Sequence, residues 1–168
     1  WRPRSTTTAV SSSSGYPPNA PPSSPLRVEL TSRGSAHPST GIRFLLEAQR
    51  DLYKLMAEVA ATPENAEKFR FIDAGRVTWL EEQTDELSKL VEMPREFILP
   101  GDSVAGAALS LARAIVRRAE RRVVELFDTE EIKNPELQRY LNRLSSLCFV
   151  LELLENKAAG HKTTLAKS

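Results

Sequence analysis

Between Thr40 and about Gly160, apolar residues recur at intervals of three and four, and no convincing strand alternation interrupts them. That period demands helices, and the breaks between the periodic runs set how many there are. Ile42, Leu45, Leu46, Gln49, Leu52, Tyr53, Met56 and Val59 mark one helix face. Thr62-Pro63-Glu64-Asn65 then interrupts the pattern. Asp73 has the chemistry of an N-cap, and it opens a second helix with Val77, Leu80, Thr84, Leu87 and Val91 on one stripe. An extended connector, PREFILPGDS, follows between Pro94 and Ser103. Ser103 caps a long third helix predicted to turn Val104, Ala108, Leu111, Ile115, Ala119, Val123 and Leu126 inward. Asn134-Pro135 supplies N-cap and first helical residue of a fourth, with Leu137, Leu141, Leu144, Cys148 and Leu151 inward and a stop near Gly160. The expected fold is all-α, an antiparallel helical bundle over residues 42–160 with a short tail at 161–168.

Residues 1–41 differ in kind. They are dominated by Ser, Thr and Pro, and Glu29 is their only acid. Such a stretch cannot bury enough apolar surface to offset the entropy of ordering it. Three readings are open: a disordered tail, text from a shifted reading frame upstream of Ile42, or an Arg- and Ser-rich transit peptide. The first two rank above the third. A cytoplasmic location is expected, or an organellar matrix if the segment is a transit peptide. The formal net charge of +1 gives no global field for nucleic acid or anionic membranes. The single cysteine, Cys148, excludes an internal disulfide and lies on an apolar seam, where a buried structural thiol is expected. His37 and His161 are far apart and far from Cys148, so no metal-ligand spacing exists and no protein-ligated metal is expected.

The charge on the third helix asks for a purpose. In RRAERR, Arg117 to Arg122, four arginines and a glutamate occupy six positions. Arg113, Arg117 and Arg121 fall at i, i+4 and i+8 on one stripe, with Glu120 close beside it. Arg118, Arg122 and Glu125 make the neighbouring stripe. One reading is a solvated face with helix-spaced pairs such as Arg121–Glu125, each worth roughly 0.3–0.5 kcal/mol. The other is a polyphosphate site, because arginines four apart repel unless an anion lies between them and each guanidinium fork binds two oxygens. Asn142, in YLNRLSS, is rotated off the Leu137/Leu141/Leu144 seam; it is either an exposed amide or a nucleotide contact. Phe97 is either a plug for the core or a free aromatic on the connector.

Taken together, FILPGDSVAGAALSLARAIVRRAERRVVEL and YLNRLSSLCFVL closely resemble the PduO-type ATP:corrinoid adenosyltransferases, over about two-thirds of the chain from Leu45 to Leu154. The resemblance implies a five-helix bundle assembled as a homotrimer, with sites between subunits. It implies transfer of the 5′-deoxyadenosyl group of ATP to cob(I)alamin or a related corrinoid, with release of triphosphate and use of Mg²⁺. A corrinoid reductase or a cobalamin-dependent mutase would be a partner. Residue by residue, Arg113 matches the arginine anchoring the corrinoid side, usually through an ion pair to an N-terminal aspartate. Arg117, Arg118, Glu120 and Arg121 match the ATP-binding helix, Asn142 the asparagine that contacts the nucleotide, and Phe97 the phenylalanine that displaces the lower axial base of the corrinoid.

The chain departs from that pattern in four places. Gly101-Asp102 stands for the usual Gly-Gly, Ser145-Ser146 for Ser-Asp, and Ser110 for a histidine. Residues 1–41 contain neither the Thr-Gly-Asp-rich phosphate loop nor the helix carrying the aspartate partner of Arg113. They are expected to contribute nothing to a site. The competing functional classes are a catalytically impaired bundle that binds corrinoid or nucleotide, and a helical interaction protein.

Overall fold

The computed structural model describes residues 38–62 and 64–167. The expectation of disorder in the Ser/Pro-rich segment, and of no role for it in a site, lies outside these residues up to residue 37. Four helices are present: α1 (Pro38–Ala60), α2 (Ala74–Ser88), α3 (Val104–Asp128) and α4 (Pro135–Ala158), with a 3-10 turn at Ala66–Phe69. The first therefore begins at Pro38, upstream of the expected bundle boundary at residue 42. No strand forms among the described residues; Ile98 and Leu165 make one isolated antiparallel bridge. The chain is an all-α helical bundle.

Local chemistry sets the helix ends. The Asp73 carboxylate accepts from the Arg76 N–H at 2.8 Å, and the Ser103 hydroxyl accepts from the Gly106 N–H at 2.9 Å. Asn134 accepts from the Glu136 N–H at 3.1 Å, and Pro135 takes the first helical position, where no N–H is missed. After Ala158 the chain leaves the helix through Gly160 at φ +76°, a backbone state costly for any residue with a Cβ.

Two of these caps also join elements. The Ser103 hydroxyl donates to Asn156 Oδ1 at 2.7 Å, tying the start of α3 to the end of α4, as an antiparallel pair requires. The helices come so close there that a Cβ on Gly106 would stand 2.2 Å from that same oxygen. Asn134 Nδ2 donates at 2.9 Å both to Glu58 Oε1 of α1 and to the Ile72 carbonyl before α2.

Helix α4 is the centre of the core. Leu137, Leu141, Leu144, Leu147, Cys148 and Leu151 are all buried, and α2 and α3 pack on it through Val77, Leu80 and Leu87 and through Leu109, Val116 and Val123. Each such side chain contributes about 1.5–3 kcal/mol of apolar burial, so α4 is the element the others need. Cys148 is a free, buried thiol, and burial pushes it up to about 11, so it is protonated at neutral pH. The expected seams of α2 and α4 are the observed ones, except that Thr84 and Val91 are only half-buried.

The inward faces expected for α1 and α3 need correction. On α1 the buried residues are Phe44, Ala48, Asp51, Leu55 and Glu58, whereas Leu46, Gln49, Tyr53 and Met56 are exposed and Leu45, Leu52 and Val59 half-buried. The side chain of Ile42 lies outside the description. On α3 the core face is Gly106, Leu109, Val116, Glu120 and Val123. Val104, Ala108, Leu111, Ile115 and Ala119 are exposed, Leu126 is half-buried, and only Val123 of the expected stripe is in the core. Both errors have one cause. Each true core face carries acids, Asp51 and Glu58 on α1 and Glu120 on α3, so each looks polar in sequence.

Candidate active site

Glu120 is the key to the arginine helix. It is 7 % exposed, and both of its oxygens are engaged. Arg117 Nη1 donates to Oε2 at 2.5 Å, and Asn142 Nδ2 donates to Oε1 at 2.8 Å. A carboxylate placed between α3 and α4 thus fixes two of the residues singled out from sequence, one on each helix. The Arg117 side chain remains 46 % exposed, so part of its fork is turned to solvent. Asn142 keeps its Oδ1 without a donor among the described residues. Glu120 acts here as the positioning group, with its own oxygens already filled.

The remaining predicted residues are placed less closely. Arg118 and Arg121 are exposed and make no ion pair among the described residues. Arg122 pairs with Glu125 at 2.6 Å in solvent, in place of the Arg121–Glu125 pair the spacing allowed. Arg113 lies over the Phe149 ring of α4, 4.7 Å from its centroid, a cation–π contact that holds the guanidinium near the same helix pair. Phe97 is 85 % exposed, so it does not plug the core. The structure brings Arg117, Glu120 and Asn142 together, leaves Arg118 and Arg121 beside them in solvent, and sets Phe97 apart on its connector.

Asn142 also lines a cleft of about 420 Å³ between α2 and α4, with Thr78, Glu81, Arg139 and Arg143. Arg143 Nε forms an ion pair with Glu81 Oε1 at 2.7 Å across that cleft. These residues were missed in sequence, although Arg139 and Arg143 sit at i and i+4 around Asn142 and could have been found by the argument applied to α3.

Glu152 is the least expected feature. It is 1 % exposed, and neither carboxylate oxygen has a hydrogen-bond partner among the described residues. Burial raises its pKa from the ordinary 4.5; the Arg113 charge and the adjacent Ser110 hydroxyl, which lies short of hydrogen-bond geometry, offset that only in part. The folded state therefore binds more protons than the unfolded one as pH rises above 4.5, and stability falls across that window. Glu152→Gln removes this slope. In denaturant titrations from pH 4.5 upward, the variant is expected to gain on wild type steadily as pH rises; a difference independent of pH would mean that Glu152 is solvated. Taking the difference cancels Glu58, whose pKa is also raised by burial.

No group of three or more His, Cys, Asp or Glu side chains among the described residues is arranged to hold a metal ion. No described helix is long and apolar enough to cross a membrane.

Comparison with known proteins places this geometry. Residues 29–155 match the family profile described as cobalamin adenosyltransferase, a match that begins upstream of the expected domain boundary. The chain is similar to the corrinoid adenosyltransferase PduO of Salmonella typhimurium, 41 % identical over 119 residues covering 70 % of this chain and 35 % of that one. It is 37 % identical to the corrinoid adenosyltransferase of Bacillus subtilis over 116 residues, covering 69 % of this chain and 58 % of the relative. The chain thus spans only about a third to three-fifths of the length of these curated relatives. Among solved structures, a variant PduO-type ATP:corrinoid adenosyltransferase from Lactobacillus reuteri, complexed with cobalamin and ATP, superposes with a TM-score of 0.70. It is 30 % identical, with 80 % of this chain and 74 % of that chain covered. With the order of connector, arginine helix and asparagine helix seen in sequence, and the bundle they form, the chain belongs to the cobalamin adenosyltransferase family.

Proposed function

We propose that the chain transfers the 5′-deoxyadenosyl group of ATP to the cobalt of cob(I)alamin or a related corrinoid. The observation that carries this reading is the Glu120 bridge, which locks Arg117 and Asn142 on adjacent helices while leaving the Arg117 fork partly free. In the reaction the cobalt–carbon bond forms at C5′, the C5′–O bond breaks, and triphosphate leaves with the bonding pair. Reduced cobalt is nucleophilic without a general base, so the protein has to align the reactants and stabilise the charge that gathers on the leaving group. Arg117 does the latter, with Arg118 and Arg121 alongside. Asn142 offers Oδ1 to the nucleotide. Phe97, standing in solvent, is free to take the lower face of the corrinoid and displace its axial base, and Arg113 anchors that side. Mg²⁺ enters on the phosphates of ATP as part of the substrate, its usual mode in phosphate chemistry. The Lactobacillus reuteri complex with cobalamin and ATP supports this pair of substrates.

The same proposal includes a homotrimer. The apolar stripe of α3 is left uncovered by the described residues, with Val104 91 %, Leu111 63 % and Ile115 49 % exposed, and a second copy would bury it. One experiment tests both parts: fractions from size exclusion, with mass measured in line, are supplied with ATP, Mg²⁺ and chemically reduced cobalamin. Conversion to the adenosylated spectrum is expected in the species of three chain masses. A spectrum that never shifts removes the enzyme reading, and retained binding in calorimetry would then favour an impaired bundle. Activity confined to monomer would contradict the trimer.

A further inference from the structure

The residues after Gly160 are more than a tail. They run back along the connector that carries Phe97. The Leu99 N–H donates to the Thr164 carbonyl at 2.8 Å, and the Ala166 N–H donates to the Phe97 carbonyl at 2.7 Å, flanking the Ile98–Leu165 bridge. Asp102 then closes the contact from its far end. Its Oδ2 accepts the Thr164 N–H at 2.9 Å, and its Oδ1 accepts the Thr164 hydroxyl at 2.6 Å. Both bonds favour the charged carboxylate; the hydroxyl and then the amide, with His161 nearby, hold Asp102 below its usual range.

The connector has little else to hold it. Among the described residues, the two bonds to residues 164 and 166 are the only backbone–backbone hydrogen bonds made by residues 92–102. Gly101, at φ +120°, breaks the extended run just before Asp102 and lets the carboxylate turn back to Thr164. A phenyl ring exposed on such a segment would sample many positions unless the backbone beneath it were pinned.

We propose that residues 161–167 form a strap, latched to the connector by Asp102 and Thr164, that positions Phe97 against the corrinoid. Asp102 is thus a positioning residue, at a place where the resemblance leads one to expect glycine. The inference rests on the proposed adenosyl transfer and adds to it how the chain orders its aromatic wedge before substrate arrives.

The test uses the full chain, comparing wild type with Asp102→Ala, Thr164→Val and Asp102→Asn. Hydrogen exchange reads the latch directly: the Leu99 and Ala166 amides should lose protection in Asp102→Ala while the α3 and α4 amides keep theirs. The effect on function should fall on the corrinoid side. KM for cobalamin is expected to rise by about 5- to 20-fold, the loss of a pre-organised contact, with KM for ATP nearly unchanged. The fraction of cob(II)alamin bound in its four-coordinate form should fall in parallel, a signature that general destabilisation would not select. Thr164→Val, which removes one of the two bonds, should lie between wild type and Asp102→Ala. Asp102→Asn keeps an acceptor and should recover part of the loss. Unchanged protection in Asp102→Ala would overturn the latch. Lost protection with unaltered cobalamin KM and four-coordinate fraction would overturn the positioning role while leaving the adenosyltransferase reading intact. A wild-type chain that cannot adenosylate cobalamin would overturn that reading, and this one with it.

Discussion

Arg117→Ala is expected to lower kcat/KM for adenosyl transfer by about 30- to 1,000-fold, a loss of ~2–4 kcal/mol of transition-state stabilisation. The size follows from where the residue sits. Its guanidinium is held by Glu120 on one side and is partly free on the other, so in the proposed reaction it would meet the phosphates without reorganising. Removing it should cost folding about 1–3 kcal/mol, because the buried Glu120 Oε2 loses its donor, so rates are compared on a variant shown to be folded. Lysine should rescue poorly, since a point charge copies neither the fork nor the simultaneous grip on Glu120. Glu120→Gln offers a cross-check: it weakens the hold on Arg117 and leaves an amide facing the Asn142 amide, so it should reduce activity without removing any group that meets ATP. Arg122→Ala is the control, because among the described residues Arg122 pairs only with Glu125, in solvent, and activity should be unchanged. Equal rates for wild type and Arg117→Ala would return RRAERR to a solvated face.

The ease of reading this chain divides along physical lines. Caps at Asp73, Ser103 and Asn134 were legible because each is a local bond, made within three residues of itself. The seams of α2 and α4 were legible because the buried side chains of α2 are all apolar and most of those of α4 are, with Ser145, Glu152 and Asn156 the polar exceptions. The faces of α1 and α3 were not, because a buried acid is recognised only by its partner, and the partners are distant. Asp51 meets Arg76 across 25 positions and Tyr140 across 89, while Glu58 meets Asn134 across 76. The α3 stripe that looked like core was genuinely apolar, but none of the described residues covers it. In the candidate site, the arginine spacing singled out the helix that carries Glu120, and Asn142 was singled out on α4. That Glu120 binds both Arg117 and Asn142 required the crossing of α3 over α4, which no spacing encodes. The strap was invisible for a similar reason: a single bridge between residues 98 and 165 has no period to detect.

Asp51→Ala is expected to destabilise the bundle by about 3 kcal/mol, the lower end of the cost of breaking a buried charge pair from one side. Asp51 is 1 % exposed and sits where α1, α2 and α4 meet. Its Oδ2 accepts from Arg76 Nε at 2.9 Å, from Arg76 Nη2, and from the Tyr140 hydroxyl at 3.0 Å, while Lys54 approaches Oδ1 at 3.4 Å. Arg76 in turn lies over the Trp79 ring at 4.2 Å, and Trp79 meets Phe44 of α1 edge-on at 6.3 Å. Burial, and then the Asp51 charge, push the Tyr140 phenol far above its usual range, so it remains a donor at any working pH. Deleting the carboxylate leaves that fully buried hydroxyl without its acceptor, at about 1–3 kcal/mol, and leaves a guanidinium with no counter-charge. Arg76 keeps 28 % of its side chain in water, which holds the cost at the lower end. Asp51→Asn retains an acceptor for Tyr140 and should cost less, about 1–2 kcal/mol. Urea unfolding at neutral pH measures both. A double-mutant cycle with Tyr140→Phe should show a coupling of about 1 kcal/mol or more, as expected for groups sharing a hydrogen bond. Additive effects, or a cost for Asp51→Ala under about 0.5 kcal/mol, would show that α1 is held by its apolar residues alone and that the buried acid is incidental.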